Sequence, residues 1–265
     1  MEQKPVDHTF VLCAYKASPY LEECIQSLIN QTVASHVILV TSTPNEHIRT
    51  LAEKYQIPMI VNTGESGIAQ DWNFGCRQVT TKYFTIAHQD DVYKPDYLES
   101  VRDYMMQARN PLIFFSDYGE LRNGAEVVNS KLLTIKRWML FPLRWRAMWG
   151  SRFVRRRILA FGNAICCPSV TYCKENMPEP IFVDYFKSNM DWMAWETISR
   201  RKGSFVYCHK VLMLHRIHED STTSELIHDD KRTEEDYQVF KRFWPAPIAR
   251  LIARVYKQSE KSNEV

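Results

Sequence analysis

Glycine is scarce in this chain, eight among 265 residues, and none falls into a spacing that cradles phosphate. Neither G-x-G-x-x-G nor G-x-x-x-x-G-K-[ST] occurs at a strand-to-helix turn, which argues against a dinucleotide-binding fold and against a P-loop nucleotidase. No Cys-x-x-Cys pair exists among the seven cysteines, an odd number with Cys166 and Cys167 adjacent. Neither a disulfide framework nor a zinc site is indicated, and reduced thiols in a cytosolic setting are expected. No apolar run reaches the roughly 18 charge-free residues that cross a bilayer, and Met1-Glu2-Gln3-Lys4-Pro5 lacks a signal-peptide pattern. A strong charge bias is missing too: a net +3 is too small to imply a nucleic-acid footprint by itself. What remains is globular. With 25% charged and 45% hydrophobic residues, the chain is long enough for one large α/β domain or two small lobes.

Hydrophobic periodicity alternates strand with helix. His8–Ala14 is a first strand, and Pro19 opens a helix whose Leu21, Cys24, Ile25, Leu28 and Ile29 keep helical spacing to Gln31. Val37–Val40 is strand two, followed by the hydroxyl-rich turn Thr41-Ser42-Thr43 and a helix through Tyr55. Pro58–Val61 is strand three, with a helix from Ile68 to about Thr80 after it. Tyr83-Phe84-Thr85-Ile86-Ala87, β-branched and aromatic, is a buried fourth strand. This order predicts a mostly parallel sheet flanked by helices.

The fourth strand delivers His88-Gln89-Asp90-Asp91. Open α/β sheets bind ligands at the carboxyl ends of their strands. Two adjacent carboxylates there are hard oxygen ligands of the kind that hold Mg²⁺ or Mn²⁺ against a substrate phosphate. The competing reading is a strand end punctuated by solvated aspartates.

The arrangement of Phe10–Tyr15, Tyr20-Leu21-Glu22-Glu23-Cys24-Ile25-Gln26-Ser27-Leu28-Ile29-Asn30-Gln31-Thr32, Gly67–Asn73 and His88–Tyr93 resembles family 2 glycosyltransferases of the GT-A fold. The likeness covers about residues 8–120 strongly and extends, more weakly, to about 225. The Gln-Asp-Asp-Val-Tyr form is most similar to rhamnosyltransferase-type members of surface-polysaccharide pathways. The resemblance implies a nucleotide-diphosphate sugar donor bridged by Mg²⁺ or Mn²⁺, with Asp90 as metal ligand and Asp91 as its neighbouring acid. It places Ala14 and Tyr15 on the wall of the nucleoside pocket. Two departures stand out. His88 occupies a position where most members carry an acid; it can bond a ribose hydroxyl or lend a metal nitrogen. Thr41 and Ser42 replace the aspartate that usually follows strand two, so the base would be met by hydroxyls with less charge assistance.

Further on, Tyr97–Ala108 reads as a helix, Leu112–Phe115 as a strand ending at Asp117, and Asn123-Gly124 as a hairpin turn. Asp117 matches a recurrent family acid with a structural role on neighbouring backbone. From Val127 to Lys174 there is no acid, while Lys131, Lys136, Arg137, Arg144, Arg146, Arg152, Arg155, Arg156 and Arg157 interleave with Trp138, Phe141, Trp145, Trp149 and Phe153. Such a basic amphipathic region, about residues 127–160, suits an anionic lipid surface. A single-stranded nucleic-acid track or a helical insertion packed on the sheet is equally compatible with the pattern. Family acceptors that are lipid-linked glycans favour the membrane, and nothing favours nucleic acid. Ile248, Leu251, Ile252 and Val255 share one face with Arg250, Arg254 and Lys257 at its flanks, a second amphipathic helix.

Phe161–Asn163 and Cys167–Thr171 resemble a strand pair closing the acceptor side. Asp191, in Asn189-Met190-Asp191-Trp192-Met193-Ala194-Trp195, matches the catalytic base of inverting members, although an aspartate there also suits a helix N-cap. Glu196 is a reserve base. Phe205–Cys208 and Val211–Leu214 read as two strands. After them, His215-Arg216-Ile217-His218 resembles a family motif in which His218 completes the metal site and Arg216 pairs with the diphosphate or a buried acid. Ser221–Ser224 reads as a lid, and Asp229–Asp236 as a solvated helix face. The expectation is a GT-A domain over residues 1–225 and a helical, membrane-associating segment over 226–265. The protein would sit in the cytoplasm, peripheral to the inner membrane face. It would act as an inverting hexosyl- or deoxyhexosyltransferase on a glycan or lipid-linked glycan acceptor. The rivals are a nucleotidyltransferase on the same fold and a non-catalytic, membrane-attached sugar-nucleotide binder.

Overall fold

The computed structural model describes residues 7–218 and 230–261. Its centre is β1 (His8–Cys13), apolar and buried from His8 to Leu12, which pairs in parallel with β2 (His36–Thr41) on one side and β4 (Tyr83–His88) on the other. β3 (Met59–Val61) extends that parallel array beyond β2. The helices between them are amphipathic as their spacing requires: α1 (Leu21–Ile29) buries Leu21, Cys24, Ile25 and Leu28, and α2 (Glu46–Lys54) buries Ile48, Leu51 and Ala52. α3 (Ile68–Gln78) lies tight on β1, because a Cβ at Gly75 would stand 2.5 Å from Val11 Cγ1.

The motif helix ends in a tie to the acidic step. Gln31 donates from Nε2 to the carbonyls of Ser27 and Lys94 and accepts at Oε1 from the Leu98 N–H, while the Thr32 N–H reaches the Pro95 carbonyl. The segment just after Asp91 is thereby stitched to α1. Val92–Tyr93 forms a short strand, β5, and α4 (Tyr97–Met105) stops short of Ala108.

The expectation of a mostly parallel sheet is corrected here. The strand order is β3-β2-β1-β4-β8-β6-β9-β5, where β6 is Pro111–Arg122, β8 is Val170–Cys173 and β9 is Ser204–Ile217. β8 runs antiparallel to both β4 and β6, β9 returns parallel to β6, and β5 is antiparallel to β9. The second half of the sheet is mixed because β8 is inserted between strands far from it in sequence. Asn123 and Gly124, at φ 49° and 80°, turn β6 back into β7 (Ala125–Val127), as the Asn-Gly pair predicts. The two strands expected at Phe205–Cys208 and Val211–Leu214 are one strand, because the exposed His209 and Lys210 bulge out while the pairing with β6 continues past them. Phe161–Asn163 is not a strand; only Val170–Cys173 of the expected closing pair is.

Residues 131–159 fold as α5 (Lys131–Leu140), two short 3-10 turns and α6 (Arg152–Leu159). Much of the positive charge here is spent inside the protein. Arg155 is fully buried and donates to the carbonyls of Ser199, Arg201 and Gly203, and Arg156 pairs with Glu196 at 2.8 Å. Arg137 lies 3.5 Å from Asp117, whose other oxygen accepts from the Tyr207 hydroxyl. The aromatics divide. Trp149 is buried, but Trp138 is 70% exposed, Trp145 55% and Phe153 74%, with Arg144, Arg146 and Arg152 exposed beside them.

α7 (Met190–Ser199) is buried on nearly every side. α8 (Asp230–Phe240) and α9 (Ala246–Lys261) pack on the same core through Val239, Phe240, Ala249 and Ala253, while Ile248, Leu251 and Val255 stay exposed. All seven cysteines are free. Among the described residues no helix is long and apolar enough to cross a membrane. The expected lid at Ser221–Ser224 lies outside the described residues.

Candidate active site

Parallel pairing puts Cys13 beside His88, so the chain leaving β1 and the acidic step leaving β4 emerge together. Gln89 locks them. Its Oε1 accepts from the Tyr15 N–H at 2.9 Å and its Nε2 donates to the Tyr15 carbonyl at 3.0 Å. Ala14 is buried at this junction and Tyr15 is more than half exposed, so a ring is offered at the mouth. Thr41 is not brought there: it is buried, and its hydroxyl accepts from the Thr43 N–H at 3.0 Å. The turn presents Ser42 and Thr43 instead. Ser42 Oγ donates to Asp71 Oδ2 at 2.6 Å, and Asn62 Nδ2 donates to Asp71 Oδ1 at 2.7 Å. An acid therefore does reach this turn, supplied from α3 rather than from the end of β2.

His88, Asp90 and Asp91 each offer a ligand atom within 4.8 Å of the others. The His88 ring stacks on Trp72, centroids 5.0 Å apart and planes 14° from parallel. Its Nδ1 lies 3.7 Å from Asp91 Oδ2, and both that oxygen and His88 Nε2 are buried without a hydrogen-bond partner. Buried polar atoms are almost always satisfied, so the two orphans mark a place for something more.

β9 approaches from the far side. His215 Nδ1 lies 2.9 Å from Asp91 Oδ1, which also accepts from the Arg216 N–H at 3.0 Å. Burial disfavours the His215 cation, yet Asp91 outweighs it and lifts the imidazole to about 9, which keeps the ring cationic at neutral pH. His218 Nε2 is 2.9 Å from Asp90 Oδ2. Burial would raise the Asp90 carboxyl, but His88 and the His218 hydrogen bond prevail and hold it below the ordinary carboxylate value. The Arg216 side chain faces away from the cluster. Its Nε donates to the Asp90 carbonyl at 2.8 Å, its terminal nitrogen pairs with Glu23, and the guanidinium lies 4.3 Å from the centre of the Tyr20 ring. Of the two options the motif left open, the structure shows an acid partner, a half-exposed one on α1.

Asp191 lies at the start of α7. Oδ2 accepts from Asn163 Nδ2 at 2.7 Å and Oδ1 from the Trp192 N–H at 2.7 Å. Burial raises its carboxyl above the usual range, with Asn163, Trp192, Lys136 and His88 offsetting part of the rise. Glu196 is buried, and one of its oxygens is held by both Arg156 and Arg200, which makes it part of an ion-pair network at the far end of α7.

Asp90 and Asp91 oxygens with an imidazole nitrogen form a donor set suited to Mg²⁺ or Mn²⁺, and the orphaned Asp91 oxygen fits such an ion. The sequence motifs pointed to Asp90, Asp91, His88 and His218, which do converge. Sequence reasoning missed Gln89 as a clamp, Trp72 under His88, His215 on Asp91 and Asn163 on Asp191. Each is a polar or ring contact between distant segments, and such contacts leave no periodic trace.

A sequence model described as glycosyl transferase family 2 matches residues 9–170, more than half of the chain. A Haemophilus influenzae protein named as an uncharacterized glycosyltransferase is 24% identical over 231 residues, 84% of this chain and 69% of that one. Among solved structures, Staphylococcus aureus TarS residues 1–349 in complex with UDP-GlcNAc superposes with a TM-score of 0.65 at 13% identity, covering 97% of this chain and 73% of that one. The mannosyltransferase PcManGT from Pyrobaculum calidifontis, in complex with GDP-Man and Mn²⁺, gives 0.62 at 11% identity over 100% of this chain and 79% of that one.

Proposed function

The chain belongs to glycosyl transferase family 2, and from that premise we propose an inverting, metal-assisted transfer of a hexose or deoxyhexose from a nucleoside diphosphate sugar to a glycan. The observation that carries the reading is the convergence of His88, Asp90 and Asp91, two of them with an unsatisfied buried atom, at the paired ends of β1 and β4. Ala14 and Tyr15 wall the nucleoside. Ser42, and through it Asp71, meets the base edge in place of the expected Thr41. Asp90, Asp91, His88 and His218 would hold the metal and diphosphate end. A bound Mg²⁺ or Mn²⁺ would neutralise, as a Lewis acid, the charge that grows on the departing nucleoside diphosphate. His215 and the Arg216 N–H fix one Asp91 oxygen, so that the carboxylate presents its other oxygen inward. The Arg216 side chain ties the acidic step to α1.

Asp191 acts as the general base. It takes the acceptor hydroxyl proton while that oxygen attacks the anomeric carbon opposite the leaving diphosphate, which inverts the centre. A carboxyl raised by burial is better matched to this task than a solvated one. The exposed Trp138, Phe141, Trp145 and Phe153 with Arg144, Arg146 and Arg152, together with Ile248, Leu251 and Val255 of α9, would rest on anionic lipid. The enzyme then works in the cytoplasm at the inner membrane face on a lipid-linked acceptor. It would be of rhamnosyltransferase type within surface-polysaccharide synthesis.

A thermal-shift screen of UDP-, GDP- and dTDP-sugars with Mg²⁺, Mn²⁺ or chelator tests the donor assignment. At a hundredfold excess over Kd a true donor stabilises by about 2.7 kcal/mol. One nucleotide class should stabilise the protein only with metal, and Asp90→Ala should abolish the shift. A shift that survives both chelation and Asp90→Ala would replace the metal-assisted reading with metal-free sugar-nucleotide binding.

A further inference from the structure

α7 carries Asp191 as its second residue, yet its own N-cap does nothing for it: Asn189 makes no side-chain capping bond to the helix. The lead-in is held from elsewhere. On α8, Glu235 accepts at Oε1 from the Lys187 N–H at 2.7 Å. At Oε2 it accepts from the Ser188 N–H at 2.8 Å, the Ser188 hydroxyl at 2.6 Å and the Asn189 N–H at 3.0 Å. The next residue of α8 continues the grip, since Asp236 Oδ1 accepts from Asn189 Nδ2 at 2.7 Å between two buried side chains. Two consecutive acids on one helix therefore fix three consecutive residues immediately before Met190 and Asp191. Four donors on a single carboxylate define a position more sharply than packing does, because each bond is charge-assisted and directional.

Asp191 has little else to orient it. One of its oxygens bonds the N–H of its own neighbour Trp192, so its direction follows the backbone of the first turn, and among the described residues Asn163 is the one hydrogen-bond partner from another segment. We infer that Glu235 is a positioning residue for the reaction: it sets the entry of α7 and thereby aims the Asp191 carboxylate at the acceptor. This rests on the reading of Asp191 as the base. It assigns α8 a part in turnover that the sequence, where Asp229–Asp236 looks like a solvated face, does not suggest. A displacement of about 1 Å at a reacting group can cost about a hundredfold in rate.

The test uses the full chain and the sugar nucleotide that stabilises it most in the screen above. It reads release of nucleoside diphosphate with water as acceptor, so no glycan need be known. Glu235→Gln removes the charge and should lower kcat at least tenfold with donor KM within twofold of wild type, and should speed amide exchange at Ser188–Trp192. Asp191→Asn should lower kcat by at least as much, and the double variant should turn over no more slowly than Asp191→Asn alone, because Glu235 acts through that carboxylate. Unchanged kcat in Glu235→Gln beside an inactive Asp191→Asn overturns the positioning role and leaves the base standing. So does a double variant slowed by the product of the two effects. Wild-type turnover in Asp191→Asn overturns the base itself. If Glu235→Gln does not fold, Ser188→Ala removes one of the four bonds and should cost kcat twofold to fivefold with KM unmoved; no loss, or parallel losses in kcat and donor affinity, overturns the proposal.

Discussion

Replacing Arg216 by alanine separates two jobs that a buried arginine near a diphosphate site can have. In the structure its side chain is a clamp. The guanidinium donates to the Asp90 carbonyl at 2.8 Å, covers the Tyr20 ring at 4.3 Å and pairs with Glu23, whose side chain is 53% exposed. A hydrogen bond from a charged group contributes about 1.5–3 kcal/mol. The stacking on Tyr20, largely shielded from water, adds about 1–2 kcal/mol. The pair with solvated Glu23 adds about 1 kcal/mol at most. Arg216→Ala should therefore lose about 2.5–6 kcal/mol, which for a chain of this size lowers Tm by about 5–12 °C. The backbone N–H of residue 216 still bonds Asp91, and His215 is untouched, so one side of the acidic step survives. Donor affinity should fall by no more than about threefold, about 0.65 kcal/mol by the usual relation of affinity to free energy. Thermal unfolding without ligand and calorimetric titration of the nucleotide with metal read the two quantities independently. An unchanged Tm with a tenfold or greater loss of donor affinity would refute the clamp and return Arg216 to the diphosphate.

Three further outcomes follow from the same geometry. Because burial holds the Asp191 carboxyl above the ordinary aspartate value, and only its ionised form can accept a proton, kcat should fall as pH drops through a midpoint above about 4, and Asp191→Asn should lose the limb together with about 10²–10⁴-fold in rate; a limb at or below that pH contradicts the assignment. Arg155→Met strips the partner from three carbonyls at the end of α7, and urea denaturation should register a loss of about 3 kcal/mol or more. Wild-type protein should co-sediment with vesicles rich in anionic lipid at low salt and not with zwitterionic ones, and Trp138→Ser with Trp145→Ser should release it without lowering Tm; equal sedimentation of wild type and double variant would assign those rings another partner.

The parallel half of the sheet was legible because each of its strands is a short apolar run closed by a turn signal, and each helix between them carries one buried stripe. Tyr83–Ala87 leading to Asp90 is the clearest instance, and the Gln31-Thr32 pair turns out to anchor the stretch beyond it. The antiparallel half was not legible, because β8 enters between β4 and β6 by long-range pairing that no local pattern encodes. Composition also overstated the free positive charge of the basic region, since Arg155, Arg156 and Arg137 are spent on carbonyls and carboxylates inside the protein. At the acidic step the residue types were readable and their partners were not. His215 meets Asp91 across 124 positions of chain, and Thr41 turns inward where Ser42 turns out.

The bulge in β9 bears on how this chain can change length. Between the pairs Ser116–Cys208 and Tyr118–Met213, β6 advances two residues while β9 advances five. Three is an odd surplus, and side chains along a strand alternate sides with a period of two. Everything beyond the bulge is thus half a rotation out of phase with Phe205–Cys208. That offset is what sets His215 against Asp91 and Arg216 against Tyr20 and Glu23. With the bulge geometry kept, losing one residue at the exposed His209-Lys210 would draw each later residue back one place, putting the Arg216 guanidinium where the His215 imidazole stands and Ile217 under the tyrosine. A deletion that touches no buried group would equal a simultaneous double replacement at the acidic step. Two residues lost would keep the alternation but seat Ile217 and His218 in those places, so the length of an exposed bulge is itself part of the site.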